Sequence, residues 1–206
     1  MEIRDRIVGG TLSPGSHINI AAISKELNIS PTPIREALKK LIPEGLVVYK
    51  SKVGYAVRVL TLHEYLQVSE IHQALEIHLV RELACTPGLI DYGGLNEINN
   101  ELDALARSGD ADGVARKNDA FHRKLYEKYP NKLMISRLTD LWDGVRTQRD
   151  IMYLNNAFLL RVADEHRKIL DAIAEGNPDA AAGTMRAHYV SGRESAIMSF
   201  PTNGAS

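Results

Sequence analysis

Helical periodicity beyond residue 60 is the feature that most constrains the fold of this chain. From residue 61 onward, apolar residues recur with the spacing of amphipathic helices, and no two segments alternate as a pair of strands would. Glycine, proline and asparagine break this pattern at intervals. The predicted helices span 61–84, 90–107, 111–129, 131–154, 157–175 and 178–199. Residues 61–200 are therefore predicted to form an all-α bundle of about six helices.

The first 60 residues predict a smaller domain that begins with three short helices. Asn19 is a suitable N-cap for a helix over residues 20–27. Thr32 is predicted to cap the third helix, with Pro33 at its first position, where a missing N–H costs nothing. The apolar residues of that helix form one stripe, which consists of Ile34, Ala37, Leu38, Leu41 and Ile42.

A β-hairpin is predicted after the third helix. Residues 46–49 and 55–59 are rich in β-branched and aromatic residues, and residues 51–54 join them. Two short helices across a tight turn, followed by a hairpin, are the elements of a winged helix-turn-helix. The predicted fold class is therefore mainly α. A winged helix-turn-helix domain over 1–60 is predicted to precede a helical domain over 61–200.

Charge is distributed unevenly along the chain. Residues 1–60 carry nine Lys and Arg against five Asp and Glu, although the whole chain has a net charge of −1. A positive excess on a small domain is compatible with contact to phosphates. No apolar run reaches the roughly 20 residues that cross a bilayer, and residues 1–10 do not have the apolar core of a signal peptide. No membrane partner is expected, and the predicted location is cytoplasmic.

Polar residues of the third helix and the hairpin are candidates for contact with double-stranded DNA. The candidates are Ser30, Thr32, Arg35, Lys39, Lys40, Lys52 and Gly54. Arg35 can bond guanine or phosphate, the lysines suit phosphates, and the helix N-terminus favours an anion. Gly54 allows a tight hairpin tip. Periodicity and charge alone are equally compatible with a small helical domain whose basic residues are merely solvated.

A second set of candidates lies in the helical region. Asn118 and His122 are four residues apart and share a helix face, while His166 and His188 lie on two later predicted helices. Three imidazoles and an oxygen donor in a bundle core would suit zinc or another divalent transition metal, with nickel and manganese as alternatives. Taken singly, each histidine is more often an ordinary bundle residue, because long sequence gaps carry little information.

The N-terminal pattern resembles a known family. The string PGSHINIAAISKELNISPTPIREALKKLIPEGLVVYKSKVGYAV is similar to the winged helix of the GntR family, through its PG, its TPIREAL, its EGL and the glycine of its wing. The resemblance implies binding to a palindromic DNA operator as a homodimer. In that family an arginine usually precedes the TP pair and helps to contact DNA. Pro31 stands at that position here, while Arg35 is retained.

The C-terminal pattern resembles the FCD ligand-binding domain of FadR-type GntR regulators. The similar strings are NDAFHRKLYE and RVADEHRKILDAIAEGNPDAAAGTMRAHY. In many members of that group, the corresponding histidines bind a metal that helps to hold an organic acid. The resemblance therefore implies that the domain over 61–200 binds an effector and mediates dimerisation. It also implies a metal on His122, His166 and His188. The fourth ligand of the group is commonly aspartate, and Asn118 replaces it with a neutral oxygen donor.

A carboxylate effector needs a cationic partner besides the metal. Arg146 and Arg149 are the candidates, because a guanidinium can hold a carboxylate with two hydrogen bonds. Ion pairs of these arginines with Asp143 or Asp150 are an equally good interpretation.

Two other functions are alternatives to a regulator. A metal-dependent hydrolase would use the three histidines to activate water, but no Glu or Asp stands at a spacing such as HExxH that would supply a general base. A helical protein-interaction module does not explain a basic winged helix. The sequence therefore favours a ligand-controlled transcriptional regulator over an enzyme.

Overall fold

The chain forms two compact units. The computed structural model describes residues 2–149, 153 and 155–200, with the exception of the side chains of 146–149. The first unit comprises residues up to Thr61 together with Asp140–Gln148, and the second comprises Leu62–Thr139 and the chain from Arg149 onward. Among the described residues, no helix is both long enough and apolar enough to cross a membrane.

The first unit has the elements of a winged helix-turn-helix. It contains α1 (Glu2–Val8), α2 (Ile20–Leu27), α3 (Pro31–Leu41), β1 (Val47–Lys50) and β2 (Gly54–Val57). As predicted, Asn19 caps α2, since its side chain accepts a hydrogen bond from the N–H of Ala22 at 3.0 Å. Asn28 ends the helix in a left-handed conformation with φ 52°. The turn between α2 and α3 is therefore set by local signals.

The start of α3 differs from the prediction. Ser30, with extended backbone, is the N-cap, and Pro31 is the first helical residue, so the predicted cap at Thr32 is wrong. The cause is the fixed φ of proline, which suits Pro31 to the first turn as well as Pro33. Ser30 makes no side-chain capping hydrogen bond.

The apolar stripe of α3 packs into the core of the first unit. Ile34, Leu38 and Leu41 are buried. Ile42, predicted as part of this stripe, is instead 39% exposed because the helix ends at Leu41. The other buried residues of this core come from every element around it and comprise Ile3, Ile7, Ile18, Ile23, Leu46, Val47, Tyr55 and Val57.

The wing is a two-stranded antiparallel sheet. Val47 pairs with Val57 at one end and Lys50 with Gly54 at the other. The turn between the strands places Lys52 at φ 66° and Gly54 at φ 98°. The positive φ of Gly54 favours glycine at this strand start, and a Cβ there would also lie within 3.3 Å of Nε2 of His17.

The second unit is helical throughout its described part, as predicted. Its helices are α4 (Leu62–Cys85), α5 (Tyr92–Ser108), α6 (Ala111–Leu125), α7 (Lys132–Arg149), α8 (Asn156–Leu159), α9 (Val162–Ala174) and α10 (Pro178–Ser199), where residues 140–148 of α7 count with the first unit. The helix predicted over 157–175 is divided at Leu160 and Arg161, because Asn155 caps a separate short helix. Asp91, Asp110 and Asn177 cap α5, α6 and α10.

Candidate functional site

Three helices of the second unit bring three histidines together. His122 lies on α6, His166 on α9 and His188 on α10. Each can offer one ring nitrogen such that all three atoms lie within 4.8 Å of one another. The ring centroids are 5.1–5.3 Å apart, and the three residues are at most 8% exposed. The histidines predicted from widely spaced sequence positions therefore form one buried cluster.

His122 is oriented by a buried carboxylate on α4. Its Nδ1 lies 2.8 Å from Oε2 of Glu76, which also accepts from the hydroxyl of Tyr126 at 2.8 Å. Burial acts to raise the pKa of Glu76, but the charge and hydrogen bond of His122, with a hydrogen bond from Tyr189, bring it to about 2. An ionised carboxylate only accepts, so Nδ1 of His122 donates. In the neutral ring, Nε2 then carries the lone pair.

His166 is oriented by an amide. Its Nδ1 lies 3.1 Å from Oδ1 of Asn99, whose amide nitrogen donates to the carbonyl of Ala163 at 2.8 Å. Because this fixes the amide, Nδ1 of His166 is the donor and Nε2 carries the lone pair. That Nε2 atom is buried and has no hydrogen-bond partner among the described residues.

The ring of His166 is held neutral. Burial lowers its pKa well below 6.5, and the charges of His188 and His122 lower it further. The ring also stacks on Phe121, with a centroid distance of 3.8 Å and an interplanar angle of 2°. A neutral imidazole with an unpartnered buried nitrogen is the form that a metal ion requires.

His188 repeats this arrangement with a third acceptor. Its Nδ1 lies 2.8 Å from Oε2 of Glu165 on α9. Each histidine of the cluster thus directs Nδ1 to an oxygen acceptor on a neighbouring helix. Histidines that ligate metals in proteins commonly have this outer hydrogen bond, which fixes the tautomer and the ring orientation.

Asn118 is buried one helical turn before His122. It is 5% exposed, and its Oδ1 is a buried acceptor without a hydrogen-bond partner in the described part of the chain. A buried oxygen without a partner costs free energy, on the order of 1–3 kcal/mol. Asn118 and His166 therefore both offer an atom that a cation would satisfy. The neighbouring residue Asp119 is also buried, at 9% exposure.

The cluster does not include the histidines of α4. His63 and His78 on α4 are exposed, while His72 is buried and its charge acts on Glu76. The predicted effector ligands Arg146 and Arg149 lie on α7, and their side chains are outside the described residues. Asp143, an alternative ion-pair partner for these arginines, forms an ion pair with Arg4 at 2.7 Å.

The predicted DNA contacts lie on the surface of the first unit. Of the predicted contacts in and beside α3, all are exposed, namely Ser30, Thr32, Arg35, Lys39 and Lys40. In the wing, Lys52 is exposed and Gly54 is half-buried. Lys39 pairs with Glu36 at 2.9 Å, and this raises the pKa of Lys39. Arg35 and Lys40 make no ion pair with any described residue. Their charges are thus available at the surface.

Sequence reasoning missed the residues that orient the histidines, namely Glu76, Asn99 and Glu165. One signal was present for Glu76, which shares a spacing of three to four residues with Tyr65, Ser69, His72, Leu79 and Leu83. A glutamate in the core register of an amphipathic helix predicts a buried carboxylate with a partner.

Comparison with known proteins agrees with both units. Residues 67–191 match the FCD domain family, and residues 1–57 match the family described as bacterial regulatory proteins, gntR family. The HTH-type transcriptional regulator YdhC of Bacillus subtilis is 26% identical over 195 residues, which are 91% of this chain and 84% of that protein. LutR of the same organism is 28% identical over 203 residues, which cover 88% of this chain and 92% of LutR.

A solved structure has the same fold. The GntR transcriptional regulator from Rhodococcus sp. RHA1 superimposes with a TM-score of 0.83 at 23% identity, over 97% of this chain and 96% of the other. The fold and the family matches together define a DNA-binding transcriptional regulator as the class of protein. The chain belongs to the GntR family of transcriptional regulators and carries an FCD domain. These relatives are regulators and not enzymes, so the hydrolase alternative is set aside.

Proposed function

We propose that this protein binds a DNA operator through α3 and the wing, under control of a small organic acid held by a metal in the helical unit. GntR regulators bind operators and respond to small effectors. The observation that carries the finer proposal is the cluster of His122, His166 and His188, with each Nδ1 bonded to an acceptor. A palindromic operator has two half-sites, so we propose that the protein binds it as a homodimer. The operator would lie in chromosomal DNA, so the proposed location is the cytoplasm.

The DNA contacts are proposed from the two faces of α3. One face is buried through Ile34, Leu38 and Leu41, so Arg35 and Lys40 project away from the core. A helix that is anchored on one side and cationic on the other can lie in the major groove. Arg35 is proposed to contact a base or phosphate. Ser30, Thr32, Lys39, Lys40, Lys52 and Gly54 are proposed to contact or approach the DNA backbone.

Replacing Arg35 by alanine tests this interface. The expected cost is about 1–3 kcal/mol of binding to DNA from upstream of the protein's own gene, with relaxed sequence preference. Lys40→Ala should weaken binding to all sequences and reduce the salt dependence by about one phosphate contact. Fluorescence anisotropy across a salt series measures both effects. Arg107→Ala, at a 74% exposed arginine side chain on α5, is the matched control. Unchanged DNA affinity and unchanged sequence preference in Arg35→Ala would contradict the proposed interface.

Zinc is the metal proposed for the cluster, with nickel or manganese as alternatives. Three imidazole nitrogens and the neutral oxygen of Asn118 form a borderline donor set, which suits zinc and nickel better than manganese. The unpartnered buried atoms of Asn118 and His166 support this fit. A metal with four protein ligands or fewer can accept a carboxylate oxygen as an additional ligand.

The effector is proposed to be a small carboxylate. The metal would bind one end of it, and Arg146 and Arg149 on α7 are proposed as its guanidinium partners. These assignments rest on the resemblance to FCD domains and on the fit of a guanidinium to a carboxylate, which it can hold with two hydrogen bonds.

A thermal-shift screen of organic acids tests the effector. An acid at 100 times its Kd stabilises the protein by about 2.7 kcal/mol, which is expected to raise Tm by about 5–10 °C. Because the metal would hold the acid, protein treated with a chelator should show no such shift. An equal shift with and without chelator would contradict metal-mediated binding.

A further inference from the structure

The side chains that would bind the metal carry no negative charge. Imidazoles of His122, His166 and His188 and the amide of Asn118 bring no negative charge, and all four side chains are at most 8% exposed. Placing a dication among buried neutral donors is costly unless opposite charge lies close by. The position of nearby carboxylates therefore matters more here than in a site with an anionic ligand.

Two carboxylates touch this cluster through its histidines. Glu76 on α4 accepts from Nδ1 of His122, and Glu165 on α9 accepts from Nδ1 of His188, both at 2.8 Å. His166 differs, because its acceptor is the neutral amide of Asn99. Glu76 and Glu165 thus both bring a negative charge into hydrogen-bond contact with the cluster, and the two charges together equal that of one divalent ion.

We propose that Glu76 and Glu165 are positioning residues that neutralise a bound dication through His122 and His188. This inference rests on the proposed metal site. A carboxylate bonded to Nδ1 fixes the ring so that Nε2 faces the metal, and it increases the donor strength of the imidazole. The two glutamates then supply the negative charge that the donor atoms do not.

The two glutamates should not contribute equally. Glu76 is 0% exposed and accepts hydrogen bonds from Tyr126 and Tyr189 as well as from His122. The side chain of Glu165 is 16% exposed, so water screens its charge more. Removal of the charge at Glu76 is therefore expected to weaken metal binding more than removal at Glu165.

Zinc titration of the full chain against a chromophoric chelator tests the inference. Glu76→Gln and Glu165→Gln remove charge at nearly constant shape, and each is expected to weaken zinc binding by about 10–100-fold, with the larger loss at Glu76. Glu194→Gln, at an exposed position on α10, is the matched control and should retain wild-type affinity. The absorption spectrum of the cobalt-substituted protein gives a second readout, since weaker imidazole donors change the ligand field.

The outcomes separate this inference from the metal site itself. A wild-type chain that binds no zinc overturns both. Zinc binding by wild type with unchanged affinity in the two glutamine variants overturns only the role of the glutamates. A lower Tm of metal-free Glu76→Gln with wild-type zinc affinity would show a purely structural residue and also overturn it. If Glu76→Gln does not fold, Glu165→Gln alone decides, because its partly exposed side chain tolerates the change.

Discussion

Replacing His166 by alanine is expected to weaken zinc binding by more than about 100-fold, beyond the loss typical of an outer hydrogen-bond partner. The residue is 0% exposed, and its Nε2 is a buried atom without a partner in the described part of the chain. Alanine removes one of the three imidazoles of the cluster. Zinc titration measures the affinity, and the thermal shift given by an organic acid should disappear with it.

The control for this change is His78→Ala. His78 is exposed on α4 and lies outside the cluster, so its loss should alter neither zinc affinity nor stabilisation by an acid. His166→Ala also removes the stack on Phe121, so Tm of both metal-free variants is compared first. Zinc affinity that survives in His166→Ala would mean that the ion binds elsewhere.

Leu38→Ala is expected to destabilise the first unit by about 2–5 kcal/mol, the range for a fully buried leucine. Leu38 is 0% exposed and lies in the stripe that fixes α3. Because α3 carries Arg35 and Lys40, DNA binding should decline with stability. Hydrogen exchange of the α3 amides measures the local loss, which corresponds to a fall in protection of about 30-fold or more.

Leu133→Ala provides the same substitution at a position that is 67% exposed. Its expected cost is within about 0.5 kcal/mol, and DNA binding should remain at the wild-type level. Near-wild-type exchange in α3 of Leu38→Ala would show that the stripe is not what holds this helix in place.

Local signals made the first unit predictable. The cap at Asn19, the prolines at the start of α3 and the glycine of the wing act within a few residues, so a short stretch of sequence contains them. The end of α3 was less predictable, since Ile42 continues the apolar spacing but lies beyond the last helical residue. Periodicity indicates which residues can be buried and does not indicate where the backbone turns away.

The three histidines and Asn118 could be named from the sequence as candidate ligands, but the residues that orient the histidines could not. Glu76 and His122 are 46 residues apart, and His166 and Asn99 are 67 apart. No local rule pairs residues at such distances, because the packing of α4, α5, α6 and α9 creates the contact. The ion pair of Asp143 with Arg4 likewise joins residues that are far apart in the sequence.

The two prolines at the start of α3 have a consequence for hydration. A helix leaves its first four N–H groups without intrahelical partners, and water normally occupies them. Pro31 and Pro33 have no N–H, so the front of α3 presents those of Ser30 and Thr32. Fewer main-chain donors must lose water when this end approaches a DNA backbone, and the proline rings keep the first turn rigid beforehand. The front of α3 therefore has fewer main-chain donors to dehydrate and a more rigid first turn than a helix without these prolines.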